Sequence, residues 1–494
     1  MSKSEVIGGK TIEERLTLFD TYLERTGMDK KQYQYDGVRW ILNNELRDDP
    51  VCGVRGGIIA DEMGLGKTIM MIGTMLCNFV PKTLVVVPPV LIDQWFVQIY
   101  RTTGHKALIY HGEDKKNITL EDLEQAKIVI CTYAGVTLTK EHIEAKMLTD
   151  LHKIAWTRIV FDEAHHLRNG KTTRYFGVRI LQANIRWLVT GTPIQNRKKD
   201  FYNLCRVLRL PASFYTDIDK LKLNARDFIM KRTKQQVGIQ IADLYIGKNM
   251  VQWANSKEKE LSEELHSAFS FTNTRAKNDN QTIIGAFNSC TLALLLRARQ
   301  SCIYPKLMAG QLNKMVENGL LSNYDDYKEA FDYSSKLDSV IKKILDRKDN
   351  GCGKIIFCHF REEIDEIAAR LRSGGMLKVA TLDGRTSNGK RFDILNDKND
   401  ALILQIQTGC EGLNLQENYS EIYFISPHWN PAVEDQAIAR CHRIGQKKPV
   451  YVERFEMCSF IYEDQDTPSI NMDNYVTNVQ DGKRDIANKI MATD

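Results

Sequence analysis

The sequence predicts an α/β protein with two parallel-sheet lobes and a mostly helical region between them. Two observations lead to this prediction. Short apolar runs alternate with amphipathic stretches from about residue 30 to 210, and the same alternation returns after about residue 335. Strands that alternate with helical patterns are typical of βαβ units, in which the strands run parallel. Residues 210–335 are mostly polar and have a helical pattern.

The first lobe is predicted from five apolar runs, each of a length that fits a buried strand. These runs are GGIIA (56–60), TLVVVPP (83–89), KIVICTY (127–133), RIVFDEA (158–164) and IRWLVTGTP (185–193). Residues 1–30 come before them and have a charged, helical pattern, which predicts an N-terminal helical extension.

The second lobe is predicted from a further set of apolar runs. They are KIIFCHF (354–360), KVATLDG (378–384), ALILQIQ (401–407), EIYFIS (421–426) and VYVERF (450–455). A loop is predicted at 273–282 and a helix near the C-terminus. The predicted domains are the extension (1–30), a first lobe (31–215), helical insertions with the lobe junction (216–335) and a second lobe with its tail helix (336–494).

Composition narrows the class of protein. Among the 494 residues, 68 are Lys or Arg and 63 are Asp or Glu, so the net charge of +5 does not by itself indicate a nucleic-acid partner. The 11 cysteines include no C-x-x-C pair, which argues against zinc and disulfides and favours a reducing compartment, cytosol or nucleus. No apolar run approaches the roughly 20 residues that cross a bilayer, so we expect no membrane partner.

The stretch ADEMGLGKT (60–68) is a candidate phosphate-binding loop. Its last three residues fit the end of the pattern G-x-x-x-x-G-K-[ST], although Asp61 stands where the first glycine is usual. A predicted strand precedes it and a predicted helix follows, which is the context that such a loop needs. Lys67 would reach the β and γ phosphates and Thr68 the magnesium ion. The other predicted nucleotide-binding residues are Asp61, Glu62, Met63, Gly64, Leu65 and Gly66; the alternative is an ordinary glycine-rich turn.

Two adjacent carboxylates follow the predicted strand in RIVFDEAHHL (158–167). Asp162, at the end of a buried strand, can hold magnesium, and Glu163 can polarise the attacking water. A solvated loop would leave this pair unexplained. Together the loop and the carboxylates predict hydrolysis of ATP or GTP.

A basic helix pattern in the second lobe carries Arg440 and Arg443 within WNPAVEDQAIARCHRIGQ (429–446). Residues three apart share a helix face, so the two guanidinium groups can clamp a phosphoryl group as charge develops. Taken alone, the same pattern fits a solvated basic face.

The motifs together resemble the superfamily-two helicases and, more narrowly, the SWI/SNF-type DNA-translocating ATPases. DEAH (162–165) and residues 60–68 carry the first resemblance. Further similar segments are QYQYDGVRWIL (32–42), LVVVPPVLIDQW (84–95), TGTPIQN (190–196), MKRTKQQV (230–237), LLLRARQSCIYPKL (294–307), QTGCEGLNLQ (407–416) and residues 429–446, which resemble an arginine-finger motif. The resemblance implies two RecA-like lobes flanking a nucleotide cleft, with ATP and magnesium as cofactors.

The resemblance also implies roles for individual residues. Gln34 would read adenine, and Gly412 and Gln436 would contribute to ATP binding. DNA contacts are implied for Pro88, Trp95, Thr132, Tyr133, Thr408 and Gly409. Gln405, Thr408 and Cys410 depart from the family's usual residues, which leaves the details of DNA contact open.

Three functions follow as hypotheses. The first is a double-stranded DNA translocase that remodels chromatin or displaces bound proteins, the second a strand-separating helicase in repair or replication, and the third a DNA-binding scaffold with a vestigial ATPase. The third is disfavoured by the intact residues of the predicted active site, which are Lys67, Asp162, Glu163, Arg440 and Arg443. In size and layout the chain resembles the compact global transactivators of baculoviruses. This resemblance implies a role in viral transcription in the host nucleus; a eukaryotic repair or transcription-termination relative is the competing origin. We expect a monomer that acts on duplex or nucleosomal DNA, together with the transcription machinery.

Overall fold

The computed structural model describes residues 10–145, 147–195, 197–272, 284, 291–373, 377–409, 413–462 and 468–491. Contacts divide the chain into two units, the first formed by Met1–Gln240 with Asp485–Asp494 and the second by Ile241–Arg484. The loop predicted at 273–282 lies outside the described residues. No helix in the described part of the chain combines the length and apolar character needed to cross a membrane.

The first unit contains a parallel sheet in the order β3-β4-β2-β5-β6-β1-β7. Its strands are β1 (Arg55–Ile59), β2 (Thr83–Val87), β3 (Leu108–Tyr110), β4 (Ile128–Thr132), β5 (Ala155–Asp162), β6 (Gln182–Val189) and β7 (Ile229–Met230). Its helices are α1 (Ile12–Thr26), α2 (Gln32–Leu46), α3 (Lys67–Cys77), α4 (Ile92–Thr103), α5 (Leu120–Gln125), α6 (Lys140–Glu144), α7 (Asp150–Lys153), α8 (Thr173–Ile180), α9 (Lys198–Val207), α10 (Ala212–Tyr215) and α11 (Ile218–Phe228).

Helices cover both faces of this sheet, as a buried parallel sheet requires. In β5, Ile159 and Phe161 belong to one apolar cluster and Val160 to another on the opposite face. Leu16 and Phe19 of α1 are fully buried in the second of these clusters. Residues of the predicted N-terminal extension are therefore part of the first unit.

The second unit contains a parallel sheet in the order β10-β11-β9-β12-β13-β8. Its strands are β8 (Leu244–Val251), β9 (Gly353–Cys358), β10 (Val379–Leu382), β11 (Ala401–Gln405), β12 (Tyr419–Phe424) and β13 (Val450–Met457). Its helices are α12 (Ser256–Ser267), α13 (Thr291–Ile303), α14 (Ala309–Glu317), α15 (Asp325–Lys328), α16 (Ser335–Asp346), α17 (Arg361–Ser373), α18 (Asn388–Asn396), α19 (Ile406–Gly409) and α20 (Pro431–Ile438). The last helix, α21 (Met472–Met491), begins in this unit.

The two parallel sheets with their helices confirm the predicted fold class. The unit boundary at residue 240 differs from the boundaries predicted at 215 and 335, since residues 216–240 join the first unit and 241–335 the second. Strand β8 lies within the region predicted to be helical. It was missed because LYIGKNMV is an exposed edge strand, whose mixed polarity gives no apolar run.

Candidate nucleotide site

The predicted phosphate loop connects the carboxyl end of β1 to the start of α3. Gly64 and Gly66 have φ angles of 89° and 79°, a left-handed conformation that favours glycine. Gly66 is the N-cap of α3, and no side chain caps the helix there. A helix start leaves its first N–H groups without intrahelical acceptors, so this turn can bind an anion.

Lys67 is the first residue of α3, and its ammonium group lies against the loop. Its Nζ donates to the backbone oxygens of Asp61, at 2.7 Å, and Glu62, at 3.3 Å. Thr68 follows it in the first turn and is partly exposed. The loop therefore holds its lysine beside the open helix start, where the phosphates of a nucleotide would be bound.

Asp162 ends β5 and lies almost wholly buried, with 6% of its surface exposed. Its Oδ2 accepts from the indole Nε1 of Trp95 at 2.7 Å, and its Oδ1 accepts from the N–H of Glu163 at 2.9 Å. Burial and the charge of Glu163 raise the pKa of Asp162 to about 6, while Trp95 and the positive charge of Lys67 act in the opposite direction. The structure thus brings Asp162, Glu163 and Lys67 together.

This carboxylate pair fits a magnesium ion. Two buried or half-buried acids repel each other, and a divalent cation bound by oxygen ligands removes that cost. Asp162, together with the Thr68 hydroxyl, would hold the ion, which would neutralise charge on the phosphates. Hard oxygen donors of this type are the ligands that magnesium prefers.

Glu163 has a backbone conformation that is unusual for its type. Its φ of 49° and ψ of 48° are left-handed, which costs a non-glycine residue about 1–3 kcal/mol. Its Oε2 lies 3.2 Å from Nδ1 of His165, and the imidazole of His165 stacks on that of His166. The contact with His165, whose ring is itself held by His166, therefore orients the carboxylate predicted to polarise water.

The turn that follows β6 also reaches the loop. A Cβ atom added to Gly191 would lie 2.9 Å from Cγ of Met63 and 3.4 Å from Nζ of Lys67. This turn belongs to the segment 190–196 that resembles the family's coupling segment; Asn196 lies outside the described residues. The three motifs of the first unit therefore meet at one edge of its sheet.

The side chain of Asp61, a predicted nucleotide-binding residue, is bound by Arg232. Its carboxylate is fully buried and faces Arg232, with Arg232 Nη2 at 2.5 Å and Nε at 3.1 Å. The same guanidinium donates through Nη1 to the backbone oxygen of Tyr33 at 2.6 Å. The Asp61 side chain is therefore ion-paired inside the protein, and its backbone oxygen accepts a hydrogen bond from Lys67.

Arg232 is a residue that sequence reasoning missed as part of the site. It joins the loop to the start of α2, where Gln34 is 5% exposed and donates through Nε2 to the backbone oxygen of Leu65 at 3.3 Å. The available signal was an acid in place of the usual loop glycine, because a buried acid needs a basic partner. The sequence does not show which base that is.

Glu62 is anchored by the same segment. Its Oε1 lies 3.1 Å from Nζ of Lys234, and its Oε2 accepts from the N–H of Lys234 at 2.8 Å. The N–H of Glu62 donates to the backbone oxygen of Arg232 at 2.9 Å. Residues 230–234 therefore support the loop from one side.

The DNA contacts predicted in the first unit stay predictions, and the structure shows where the side chains of these residues lie. The side chains of all four predicted residues, Pro88, Trp95, Thr132 and Tyr133, are buried. Trp95 is 1% exposed, and its indole and the hydroxyl of Tyr133 both bind Asp162, the latter through the backbone oxygen at 2.7 Å. These two side chains position the acid, and the exposed surface of the same turns belongs to Pro89, Val90 and Ala134.

Arg440 and Arg443, predicted to share a helix face, instead follow α20, which ends at Ile438, and lie in the turn after it. Nη1 of Arg443 donates to Oδ1 of Asn414, and burial together with the charge of Arg440 lowers the pKa of Arg443. Gln436 is buried, and its Nε2 has no hydrogen-bond partner among the described residues. Thr408 and Gly409 are in α19, with undescribed side chains, and Gly412 lies outside the described residues.

Comparison with protein families agrees with this geometry. Residues 33–343 match the SNF2-related domain, and residues 335–445 match the helicase conserved C-terminal domain. The chain belongs to the SNF2-related family. This SNF2-related chain is a DNA-dependent ATP hydrolase, which confirms the predicted family and enzyme class.

Known proteins similar to the chain include viral and cellular members. The probable global transactivator of Orgyia pseudotsugata multicapsid polyhedrosis virus is 27% identical, over 93% of this chain and 91% of that protein. The ISWI chromatin-remodeling complex ATPase ISW2 of Saccharomyces cerevisiae is 26% identical, over 86% of this chain and 38% of that protein. A solved Sulfolobus solfataricus SWI2/SNF2 ATPase core in complex with dsDNA is 23% identical, covering 94% of this chain and 93% of that one with a TM-score of 0.39. The chain thus spans nearly the whole viral relative and about two fifths of the yeast one.

Proposed function

We propose that this ATPase translocates along double-stranded DNA and thereby remodels chromatin or displaces bound proteins during transcription. The observation that carries the proposal is the assembled site of the first unit, where Lys67, Asp162 and Glu163 meet at one sheet edge. Similarity to a viral transactivator and to a chromatin-remodelling ATPase supports the choice of duplex and nucleosomal DNA as the substrate and of the nucleus as the location.

In this proposal the residues of the loop hold ATP. Lys67 and the N–H groups at the start of α3 bind the phosphates. Thr68 and Asp162 would hold a magnesium ion, which would supply positive charge beside them. Glu163, fixed by its backbone conformation and by His165, orients the attacking water. Gln34, held against the loop, recognises adenine.

Arg440 and Arg443 act in the same reaction. Their mutual proximity in the second unit concentrates positive charge that an anion would relieve, which suits a pair of arginine fingers. Their participation would make hydrolysis depend on both units, and so on DNA that engages both. This dependence is the physical basis that we propose for coupling ATP to movement.

A strand-separating helicase is the second candidate, because residues 335–445 match the helicase conserved C-terminal domain. Two displacement assays separate the candidates. A duplex translocase removes the third strand of a triplex and leaves a duplex intact, whereas a helicase separates the duplex. Glu163→Gln serves as the control for ATP dependence in both assays.

Before these assays, ATP turnover is measured without nucleic acid and then with duplex DNA, single strands, RNA or nucleosomes. We expect duplex DNA and nucleosomes to stimulate turnover most strongly. Equal turnover with every nucleic acid, or stimulation by RNA alone, would contradict the proposed substrate.

A further inference from the structure

A pocket lies in the first unit, beside the start of β1 and away from the phosphate loop. It has a volume of about 330 Å³, and its lining includes Arg55, Ala183, Asn184, Arg186 and Arg209. Arg55 is the first residue of β1, and Arg186, in the middle of β6, pairs with Gly56, the second residue of β1. The pocket is thus near the amino-terminal edge of the sheet, whereas the phosphate loop follows the carboxyl end of β1.

Three arginines line this pocket without a carboxylate partner among the described residues. Arg186 donates to the backbone oxygens of Leu181 and, at 3.5 Å, Val207. Arg209 donates to the same oxygen of Leu181 at 3.3 Å. The third guanidinium, that of Arg55, donates to two backbone oxygens at the end of α2, at 2.5 and 3.0 Å. Every acceptor is a neutral carbonyl.

A structural explanation accounts for part of this charge. The acceptor carbonyls lie at the C-terminal ends of α2, α8 and α9, each of which carries a partial negative charge of about 0.5. Three such ends together carry a partial charge of about −1.5, whereas the three guanidinium groups carry three positive charges. The pocket therefore keeps an excess of roughly 1.5 positive charges, which helix capping does not balance.

Burial makes this excess of positive charge energetically unfavourable. Arg186 is 2% exposed, and its Nε has no hydrogen-bond partner among the described residues. Burial and the charge of Arg209 lower the pKa of Arg186 to about 10. Arg209 itself has a left-handed backbone, with a φ of 66°, and such strain is frequent at ligand sites. An anion between these arginines would relieve the repulsion and pair the orphaned donor.

We propose that this pocket binds a small phosphorylated molecule, with Arg209 and Arg55 at its rim and Arg186 at its base. The fork of a guanidinium group suits phosphate oxygens, and the volume accommodates a pyrophosphate-sized group while excluding a DNA duplex. The phosphate of a nucleotide and that of another metabolite share this chemistry. The site is separate from the ATP-hydrolysing one and does not depend on the function proposed above.

Calorimetric titration of the full chain with pyrophosphate tests the site. Lys67→Ala is introduced first, in order to weaken binding at the phosphate loop. In that background we compare Arg209→Glu with Arg179→Glu, a control that makes the same charge change at an exposed position of α8 outside the pocket lining. Arg186 is left intact, because its replacement would remove hydrogen bonds to the carbonyl groups at the ends of α8 and α9. Matching thermal unfolding curves of the two variants establish that both are folded.

The proposal expects Arg209→Glu to raise the Kd for pyrophosphate at least tenfold and Arg179→Glu to change it less than twofold. If ATP binding in the same background shows the same dependence on Arg209, the ligand is a nucleotide; if pyrophosphate alone shows it, the ligand lacks a base. Equal effects of the two variants would overturn the site. So would a loss of duplex DNA affinity in Arg209→Glu without any loss of pyrophosphate binding, since the arginines would then contact a DNA backbone.

Discussion

The turns that follow β1 and β9 show how two parallel sheets of one chain come to differ in chemistry. Each turn leads from the carboxyl end of a strand into a helix. After β1, Gly66 is the N-cap of α3, and no side chain caps the helix there. After β9, Oε2 of Glu363 accepts from the N–H groups of His359, at 2.8 Å, and Phe360, at 3.0 Å.

The two turns differ in the group that faces the N–H groups at the helix start. A helix start attracts negative charge in either unit. The second unit fills its turn with the buried side chain of Glu363, whereas the first leaves its turn open and places Lys67 beside it. The first turn is therefore the one of the two that suits the phosphates of ATP.

Lys67→Ala tests this contrast with the largest expected effect. The variant loses the ammonium group at the open turn, so ATP turnover should fall to the background level and ATP binding should weaken greatly. The matched control is Arg361→Ala, because Arg361 is the first residue of α17 as Lys67 is of α3. Steady-state turnover and nucleotide titration give both readings. Wild-type turnover in Lys67→Ala, or an equal loss of turnover in Arg361→Ala, would contradict the claim that only the turn after β1 binds ATP.

The second unit should contribute arginines to the reaction. Arg440→Ala and Arg443→Ala should each lower DNA-stimulated turnover by about 10³–10⁵-fold and leave ATP affinity nearly unchanged, because arginine fingers act on charge that develops in the transition state. Lysine should rescue poorly at either position, since it lacks the planar fork. Arg372→Ala, on an exposed arginine of the same unit, is the control. Normal stimulated turnover in both alanine variants would show that the arginines are surface charges.

Arg232→Ala should have an intermediate effect. Removing one partner of a buried ion pair costs about 3–5 kcal/mol of stability. We also expect the KM for ATP to rise roughly tenfold. Without Arg232 the start of α2 is held less firmly, so Gln34 would lose about one hydrogen bond to the nucleotide. The preference for ATP over GTP should narrow as well.

A double variant, Asp61→Ala with Arg232→Ala, separates positioning from stability. It removes both charges, so it should recover part of the lost stability without recovering the preference for ATP over GTP. Turnover with each nucleotide and urea unfolding give the two readings. Full recovery of the preference would assign Arg232 a structural role alone.

Glu363→Gln should have the smallest effect, on stability. Burial raises the pKa of Glu363 from 4.5 to about 7, despite the two N–H groups that favour its charged form. Because this pKa is higher in the folded state, wild type loses stability relative to Glu363→Gln as the pH rises from about 4.5 to 7. The loss should total about 3 kcal/mol. Urea unfolding at pH 4.5 and 7.5 measures it, with Glu362→Gln as an exposed control. A difference that does not depend on pH would contradict the raised pKa.

The loop and the carboxylate pair could be predicted from the sequence because their chemistry is local. Gly64, Gly66 and Lys67 lie within four residues, and Asp162 with Glu163 directly ends an apolar run. Apolar runs likewise predict buried parallel strands, since both of their faces need apolar side chains.

What could not be predicted depends on tertiary contacts. Asp61 meets Arg232 across 171 residues of sequence, and nothing local selects that partner. The indole of Trp95 could equally face DNA or the interior until Asp162 is seen to accept its hydrogen bond. Strand β8 is defined by its pairing with β13 and not by its own polarity.

The central claim is that the first unit holds the site where ATP is hydrolysed and that duplex DNA drives this reaction. The most direct measurement is ATP binding and duplex-stimulated turnover of Glu163→Gln beside wild type. The account predicts that the variant binds ATP like wild type and turns it over about 10²–10⁴-fold more slowly, because it keeps the shape of Glu163 and loses the charge that orients water. A variant that hydrolyses ATP at the wild-type rate with duplex DNA, or one that no longer binds ATP, would contradict it.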